Sequence, residues 1–495
     1  MPKFVLLATD MVLLLLLLAL AWYVRHAWRD ANLRKTWRSV GRNTAAMCSA
    51  VLLLLFLGTA VLDSVHFRPL LPPAEGAAPN SPPAYATSTL SLLDWMLSRP
   101  REAREQSYSV PLGTHLYAKQ TLQRDGKSVR DFPRLQFGGK HLTNPAQQWA
   151  SDVAWRSVCG IALGVLFSLL LCLLTVFVLA RFAGTSFKSA WQRVASSQTE
   201  LPWRPMLVTA SVVLVLAGWV ATLWPCYHVF GTDQTGNDIL VQALKSIRTA
   251  VVIGAVATIA TLPLAVSLGV LAGYFKGWVD DLIQYIYTVL SSIPSVLLIA
   301  ACVLLIHGFV DSHPDWFATG LERADIRLFL LATILGLTGW SALARLLRAE
   351  TFKLAELDYV QAARAFGVSH VGIMRRHILP NVIHMVLIVS VLDFSGLVLL
   401  EAVLSYVGVG VDPATVSFGT MINSARSELA RDPAIWWNLL TGFAFMVTLV
   451  LALQLFASGV QDAFDPRTHA LRTQREIKPK TAPAPVPSTQ AGKSA

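Results

Sequence analysis

The chain has 495 residues, of which 54% are hydrophobic and only 14% are charged, and its mean hydropathy is +0.52. A water-soluble globule of this size would carry more charged surface, so the composition excludes a soluble fold for most of the chain. The net charge of +11 comes from short basic clusters between apolar blocks. That pattern indicates membrane topology and argues against binding to nucleic acid.

Nine apolar blocks are long enough to cross a bilayer as helices, for which about 20 residues each are needed. The blocks are apolar on all sides and lack the alternation of a transmembrane β-barrel, so we expect an all-α integral membrane protein. The predicted spans are 4–24, 45–62, 158–180, 206–223, 250–274, 282–307, 328–346, 381–404 and 437–457.

Basic residues predict which side each loop faces. The loops after the first and third spans are rich in Arg and Lys, as cytoplasmic loops are. Strict alternation then predicts a periplasmic N-terminus and a cytoplasmic C-terminus. The Leu-rich start followed by Ala19-Leu20-Ala21 also fits a cleaved secretory signal. Cleavage there would leave the first basic loop outside, so an uncleaved anchor fits better.

The polar stretches between the spans divide the chain. A Pro- and Ala-rich run at 69–83 is typical of a linker, and the Pro-rich end of the chain is typical of disorder. We predict extra N-terminal spans at 1–62, a periplasmic insert at 63–156, an extra span with a cytoplasmic loop at 157–205, a core at 206–466 and a cytoplasmic tail at 467–495.

The most informative segment is 354–381, which we call the foot. Apolar and small residues recur there at three- and four-residue steps, which places them on one face of a helix. They are Tyr359, Val360, Ala363, Phe366 and Gly367. Gly367 can end this helix in a left-handed conformation, and Ser369 can cap a second helix. Pro380 is tolerated in the first turn of the next span, so we expect a helix-turn-helix on the cytoplasmic side.

Small residues on the foot permit close approach of another protein. The residues alone leave two interpretations open, docking of a partner and packing against the chain itself.

Ala362, Ala363, Gly367, Leu379 and Pro380 match, at the same spacing, the EAA loop of ABC importer permeases. The run from His377 to Asn381 resembles the dipeptide, oligopeptide and nickel branch of that family. Gln361 stands where the family has Glu, so the salt bridge of that Glu is expected to be missing.

Two further segments resemble the same branch. The first is similar to its GTDxxGRD signature, with Asn237 in place of Arg, and we call residues 231–238 the signature turn. Its matching residues are Gly231, Thr232, Asp233, Gly236 and Asp238. The second, 399–408, resembles a signature that follows the EAA loop.

The resemblance implies a type I ABC importer permease core of about six transmembrane helices, with about three extra N-terminal helices and a periplasmic insert. It implies a multi-pass protein of the bacterial inner membrane that forms part of a path for peptides or similar small solutes. A separate ATPase would dock on Tyr359, Val360, Gln361, Ala362, Ala363, Phe366, Gly367, His377, Leu379 and Pro380.

The implied partners are a second permease subunit, two ATPase subunits or domains, and a periplasmic substrate-binding protein. ATP and Mg²⁺ are expected on the ATPases, with no cofactor or metal bound by this chain. The sequence contains no GxxxxGK[ST] phosphate-binding loop, so we expect a membrane subunit that is not itself an enzyme.

Four acidic residues each allow more than one role. Asp393 and Glu401 lie within a span, where carboxylates are costly, so they either line a path or bond to neighbouring helices. Asp233 and Asp238 fit a turn that caps the next helix better than they fit a cation site.

Two rival functions also remain open at this point. One is a channel or ion-coupled carrier in which Asp393 relays protons. The other is a membrane enzyme with a periplasmic active site, for which the insert offers Asp94, His115, Asp131 and His141 without a recognisable catalytic spacing.

Overall fold

The computed structural model describes residues 3–70, 85–86, 89–98, 103–124, 127–317 and 319–464. Most of the predicted linker at 69–83 and the whole predicted tail at 467–495 lie outside these residues.

The described chain is mainly helical, as its composition predicts. The helices are α1 (Ala8–Arg29), α2 (Ala31–Arg42), α3 (Thr44–Asp63), α4 (Leu92–Met96), α5 (Pro145–Ala183), α6 (Phe187–Ala195), α7 (Trp203–Leu223), α8 (Ile239–Phe275), α9 (Gly277–Ser292), α10 (Ser295–Ser312), α11 (Gly320–Ala355), α12 (Asp358–Ala365), α13 (His370–Ile373), α14 (Leu379–Val407), α15 (Phe418–Glu428) and α16 (Trp437–Phe464). A π-helical segment, Met374–Ile378, joins α13 to α14, and a 3-10 turn, Pro314–Trp316, follows α10.

Short strands lie at one end of the bundle. They are β1 (Lys3–Val5), β2 (His66–Arg68), β3 (Leu90–Ser91), β4 (Gln120–Arg124) and β5 (Lys127–Asp131). The first three form an antiparallel sheet, with Phe4 opposite Phe67, and β4 and β5 form a hairpin. Because β1 pairs with β2, the N-terminal strand lies at the same end of the molecule as the insert.

Within the described ranges, nine helical segments are long and apolar enough to cross a membrane. Each contains or overlaps one predicted span, which confirms the predicted number. Most extend beyond the predicted ends, since a helix continues into the polar region once its backbone hydrogen bonds are formed.

The predicted span 282–307 is wrong at its start. The structure divides this region into α9 and α10, with Ile293 extended (φ −87°, ψ 130°) and Pro294 before the first residue of α10. Proline has no backbone N–H and disfavours helical geometry in the residue before it, so one helix cannot run through this point. Helix α9 is amphipathic and buries Ile283 and Tyr287 on one side.

Helix α8 is the centre of the bundle. It packs along most of α11 and also contacts α3, α9 and α14. Two apolar clusters fill the space around α8, one around Leu347 and Val382 and the other around Ile253 and Leu335. Helix α3 packs on α16 and α8, so a helix from the predicted N-terminal region belongs to the same bundle as the predicted core.

A buried group of charges joins the N-terminal segment to this bundle. The Arg248 guanidinium on α8 donates to Asp10 Oδ1 at 2.7 Å and to Thr9 Oγ1 at 2.8 Å, both on α1. It also lies 3.5 Å from Asp325 on α11, and Asp10 contacts the His66 ring at 2.8 Å. Buried charges are tolerated when they are paired, so we call these five residues the Arg248 cluster.

Helices α5, α6 and α7 form a separate unit, which we call the helical hairpin. Helices α5 and α7 pack mainly on each other, and α7 also contacts α3. Gly218 on α7 faces Gly160 and Gly164 on α5 so closely that an added Cβ would lie 2.6 Å from the Gly160 carbonyl oxygen. Helix α5 begins and α7 ends beside the insert, where Leu223 packs with Leu142, so α6 lies at the opposite end of the hairpin.

Replacing Gly218 with alanine should force α5 and α7 apart, because the new methyl group meets backbone atoms that cannot rotate away. We expect a loss of about 1–3 kcal/mol in stability, seen as a lower apparent melting temperature of the purified protein in detergent. Gly396→Ala is the matched control, since a Cβ there meets nothing within 4 Å among the described residues. Equal melting temperatures for both variants would contradict the close glycine contact.

Candidate functional site

The foot is a helix-turn-helix, as its sequence predicts. Helix α11 ends at Ala355, α12 follows after a turn, and Gly367 adopts the left-handed conformation with φ +78°. The Ser369 hydroxyl oxygen then accepts the Gly372 amide at 3.2 Å and caps α13. The chain therefore leaves the bundle along α11 and returns along α13.

The predicted apolar face of α12 divides into two sides. Val360 is only 3% exposed and packs with Ile373 and Ile378, with the partly buried Ala363 beside it. Tyr359, Ala362 and Phe366 are exposed instead. Successive helical residues are about 100° apart, and the buried stripe of this eight-residue helix is too narrow to include both sets.

The return helix runs without a break into the membrane. The π-helical segment Met374–Ile378 connects α13 to α14, and Pro380 lies in the first turn of α14. Leu379 is partly buried against the cluster around Val382. The His377 ring lies 6.0 Å from the Tyr359 ring, so the two helices of the foot contact each other on this side.

A carboxylate that the sequence motif did not reveal, that of Glu356, lies beside Gln361. The Gln361 side-chain amide donates to Glu356 Oε2 at 3.3 Å, and Glu356 also forms an ion pair with Lys276 at the end of α8. The hydrogen bond from Lys276 and its positive charge lower the pKa of Glu356. The foot therefore has an ion pair, although Glu356 and not residue 361 supplies its negative charge.

A cavity of about 430 Å³ separates α12 from the ends of α8 and α11. Its lining includes two cations, Lys276 and Arg364, and one anion, Glu356. His370 Nδ1 lies 2.9 Å from the Tyr274 hydroxyl. The residues with polar side chains are Tyr274, Lys276, Glu356, Gln361, Arg364 and His370.

The signature turn begins α8 at the opposite end of the molecule. Asp238 accepts the Leu240 and Val241 amides at 2.9 and 3.4 Å, which confirms its predicted capping role. Asp233 Oδ1 accepts the amides of Thr235 and Asn237 at 2.8 and 2.9 Å. Gly231 and Gly236 both have positive φ, so the turn is built to change direction sharply.

The insert packs directly on the signature turn. Thr232 Oγ1 accepts the Ser109 amide at 2.7 Å and donates to the Ser107 carbonyl at 2.9 Å. Gly236 lies so close to the backbone of Glu105 that any side chain there would collide with it. The sequence offered no partner for the insert, because these contacts join residues more than 100 positions apart.

A buried histidine connects the insert and the turn electrostatically. His228 Nδ1 lies 2.8 Å from Asp238, and its Nε2 lies 3.5 Å from Glu105. The Glu105 carboxylate also accepts the amides of Gln136, Phe137 and Gly138. Burial lowers the pKa of His228, but hydrogen bonds and charges of Asp238 and Glu105 outweigh it and raise the pKa to about 9.

The two carboxylates of α14 differ in their surroundings. Glu401 is buried and accepts hydrogen bonds from Ser405 and Ser417 at 2.7 and 2.9 Å. Asp393 is exposed and has no hydrogen-bond or ion-pair partner among the described residues. Glu401 therefore bonds within the bundle, which is one of the two roles left open for these carboxylates.

The candidate catalytic residues of the insert do not form one site. Asp94 contacts Lys245 at 2.8 Å, His141 contacts Asp152 at 2.8 Å, and Asp131 bonds to its own neighbour Phe132. In the described residues no group of three or more His, Cys, Asp or Glu is arranged to hold a metal ion.

These features define a multi-pass membrane protein with a helix-turn-helix at one end of its bundle. Residues 265–470 match the family described as binding-protein-dependent transport system inner membrane component. The dipeptide transport system permease protein DppC of Alkalihalophilus pseudofirmus is 30% identical over 241 residues, which cover 48% of this chain and 72% of that protein.

Further relatives agree with this match. The oligopeptide transport system permease protein OppC of Mycobacterium tuberculosis is 29% identical, over 50% of this chain and 78% of that protein. The glutathione transport system permease protein GsiD of Pectobacterium atrosepticum is 29% identical, over 48% and 73%. A chain of the inward-facing MetNI methionine ABC transporter aligns at 19% identity over 46% of this chain and 96% of that chain, with a TM-score of 0.33.

The chain therefore belongs to the binding-protein-dependent transport system inner membrane components. It is a multi-pass permease subunit of an ABC importer. These relatives do not favour the rival functions of ion-coupled carrier, channel or periplasmic enzyme.

The contact between insert and signature turn should depend on pH. The raised pKa of His228 contributes stability that is complete below about pH 6.5 and is lost as the pH rises through about 9. Burial raises the pKa of Glu105, but His228 and the three amides lower it more, so its contribution is lost only in acid, below its usual 4.5. The contact is then strongest between about pH 4.5 and 6.5.

Hydrogen exchange at residues 136–138, corrected for intrinsic rates, measures this contact. Protection in the wild type should fall by up to about 3 kcal/mol between pH 6.5 and 9, since one pKa unit corresponds to about 1.4 kcal/mol. His228→Gln should lower protection at pH 6.5 and remove the further fall. His115→Gln, a change at an exposed histidine of the same insert, is the control. An unaltered pH profile in His228→Gln would rule out this histidine as the cause.

Proposed function

We propose that this chain is one of two permease subunits of an ATP-driven importer for peptides or similarly small solutes. The names of its relatives, which are oligopeptide, dipeptide and glutathione permeases, support this class of cargo. The observation that carries the proposal is the foot, an exposed helix-turn-helix with an apolar side that none of the described residues covers.

The foot docks on a separate ATPase through the outward side of α12. Phe366 is 87% exposed, and Tyr359 and Ala362 lie beside it. A large aromatic side chain at the tip of a soluble protrusion is typical of an interface anchor, and small neighbours allow the two surfaces to approach closely. Val360 and Ala363 have a different role, since they hold α12 against the bundle.

ATP and Mg²⁺ are bound by the two ATPase subunits, and this chain binds no cofactor. Closure of the ATPases moves the foot, and the bundle follows as a rigid body. The second permease or the solute path covers the surface around Asp393, which supplies the polar surroundings that its carboxylate requires.

The foot lies in the cytoplasm, and the insert with the N-terminus lies in the periplasm. The basic loops after the first and third spans support this orientation. A periplasmic binding protein delivers the solute to the end of the bundle at which the signature turn and the insert lie.

Phe366→Asp should abolish ATPase docking while the protein stays folded, because the residue makes no core contact. The measurement is co-purification with co-expressed ATPase subunits, followed by solute uptake into proteoliposomes. Phe182→Asp is the matched control, since Phe182 is 88% exposed at the end of α5 and lies outside the foot. Equal co-purification of both variants with the ATPase would argue against docking at α12.

The ion pair between Glu356 and Lys276 should position the foot for coupling. Glu356→Gln should lower uptake by about twofold to fivefold, as expected for loss of one exposed ion pair. Glu350→Gln, which breaks the partly exposed Glu350–Lys353 pair of 3.0 Å in the last turns of α11, should have little effect.

A rescue variant separates charge from structure. Glu356→Gln combined with Gln361→Glu returns a carboxylate to the same group of side chains, and uptake should recover. If uptake stayed low in this double variant while folding and ATPase binding were intact, the negative charge beside Lys276 would not be the cause of the loss of uptake.

A further inference from the structure

A second cavity, of about 350 Å³, lies within the helical hairpin. Its walls are mainly apolar and come from α5, α6 and α7. They include Cys172, Trp191, Val194, Arg204, Leu207 and Val208. Neither the foot nor the signature turn uses this cavity.

Arg204 is the cationic residue of the cavity wall. Its guanidinium donates one long hydrogen bond of 3.4 Å to the Ala195 carbonyl. It makes no ion pair with a carboxylate among the described residues. The cavity therefore combines an apolar wall with a positive charge that the described protein does not neutralise.

The surroundings of the cavity are also cationic. The stretch 181–211 contains four basic residues and one acidic residue, Glu200. The basic residues are Arg181, Lys188, Arg193 and Arg204, and in the described structure none of them is ion-paired. Such a cluster attracts an anion, and an anionic membrane surface attracts such a cluster.

Helix α6 has the form of a helix that lies at a membrane interface. Ala190 and Val194 are buried against Val176 and neighbouring residues. Phe187 and Trp191 remain exposed and stack on each other, with ring centroids 6.5 Å apart. Aromatic residues concentrate at the level of lipid headgroups, and amphipathic helices lie in that plane.

The cavity lies at the same end of the bundle as the foot. Helices α5 and α7 meet the insert at their other ends, and Trp191 and Arg204 belong to the end that carries α6. Leu207 and Val208 lie within the predicted span 206–223 and Arg204 lies two residues before it, so we expect the apolar wall beside the hydrocarbon region and Arg204 near the headgroups.

We propose that this cavity binds an anionic phospholipid, with an acyl chain along Leu207 and Val208 and the headgroup phosphate on Arg204. Charge complementarity selects the anion. The apolar wall selects a lipid over a free phosphate, which would leave that wall in contact with water. This inference does not depend on ATPase docking at the foot.

Native mass spectrometry of the purified full-length chain tests the site. Delipidated protein is titrated with phosphatidylglycerol or with phosphatidylcholine of the same acyl chains, and the bound lipids are counted. We expect preferential retention of phosphatidylglycerol. Arg204→Gln should weaken it about fivefold, the contribution typical of one basic side chain near an anionic lipid.

Two further variants separate this site from general surface charge. Arg193→Gln removes the same charge from α6 outside the cavity lining and should change retention by less than about twofold. Ala195→Phe fills the cavity without altering the charge and should lower retention of phosphatidylglycerol. Inorganic phosphate should not displace the lipid.

Equal losses in Arg204→Gln and Arg193→Gln, full retention by a folded Ala195→Phe, equal binding of the two lipids, or displacement by phosphate would each overturn the proposal.

Discussion

Arg248 places a positive charge inside a helix that crosses the membrane, and the surrounding structure neutralises it. Asp10 approaches from α1 and Asp325 from α11, so three helices from distant parts of the chain meet at one point. Asp10 also contacts His66, which is the first residue of β2 and lies at the start of the insert. Because an unpaired buried charge is costly, the cluster fixes the N-terminal helix, the start of the insert and the bundle relative to one another.

Helix α8 connects the two functional ends of the molecule. At the start of α8, His228 lies between Asp238 of the signature turn and Glu105 of the insert. Farther along α8, Lys245 contacts Asp94 of α4. At its last residues Tyr274 contacts His370, and Lys276 pairs with Glu356. The insert and the foot are therefore fixed to opposite ends of one continuous helix.

Sequence reasoning succeeded where one local rule decides the outcome. The nine spans follow from the length of apolar helix that a bilayer requires. The turn of the foot follows from Gly367 and Ser369, and the cap of α8 from Asp238. It failed at Pro294, where amphipathic α9 directly precedes apolar α10 and the two read as one block. Sequence reasoning also placed Tyr359 and Val360 on one apolar face, although only Val360 is buried. Which side of a short helix is buried depends on the neighbouring helices, and these cannot be read from the local pattern.

Contacts between distant residues were beyond the sequence. Lys245 pairs with Asp94, 151 positions away. Asp10 and Arg248 are separated by 238 positions, and no periodicity marks them as partners. Gln361 indicated a lost charge, whereas side-chain geometry places Glu356 beside it. Such pairs become visible only when the packing of the helices is known.

The foot is attached to the bundle in two different ways. On the α11 side the helix ends at Ala355 and a short turn intervenes, whereas on the α14 side the helical backbone is continuous from His370 to Val407. The turn acts as a joint, and the continuous helix acts as a rigid arm. The most direct mechanical link between the foot and the bundle is thus α14, the helix that carries Asp393, because its backbone is unbroken from one to the other.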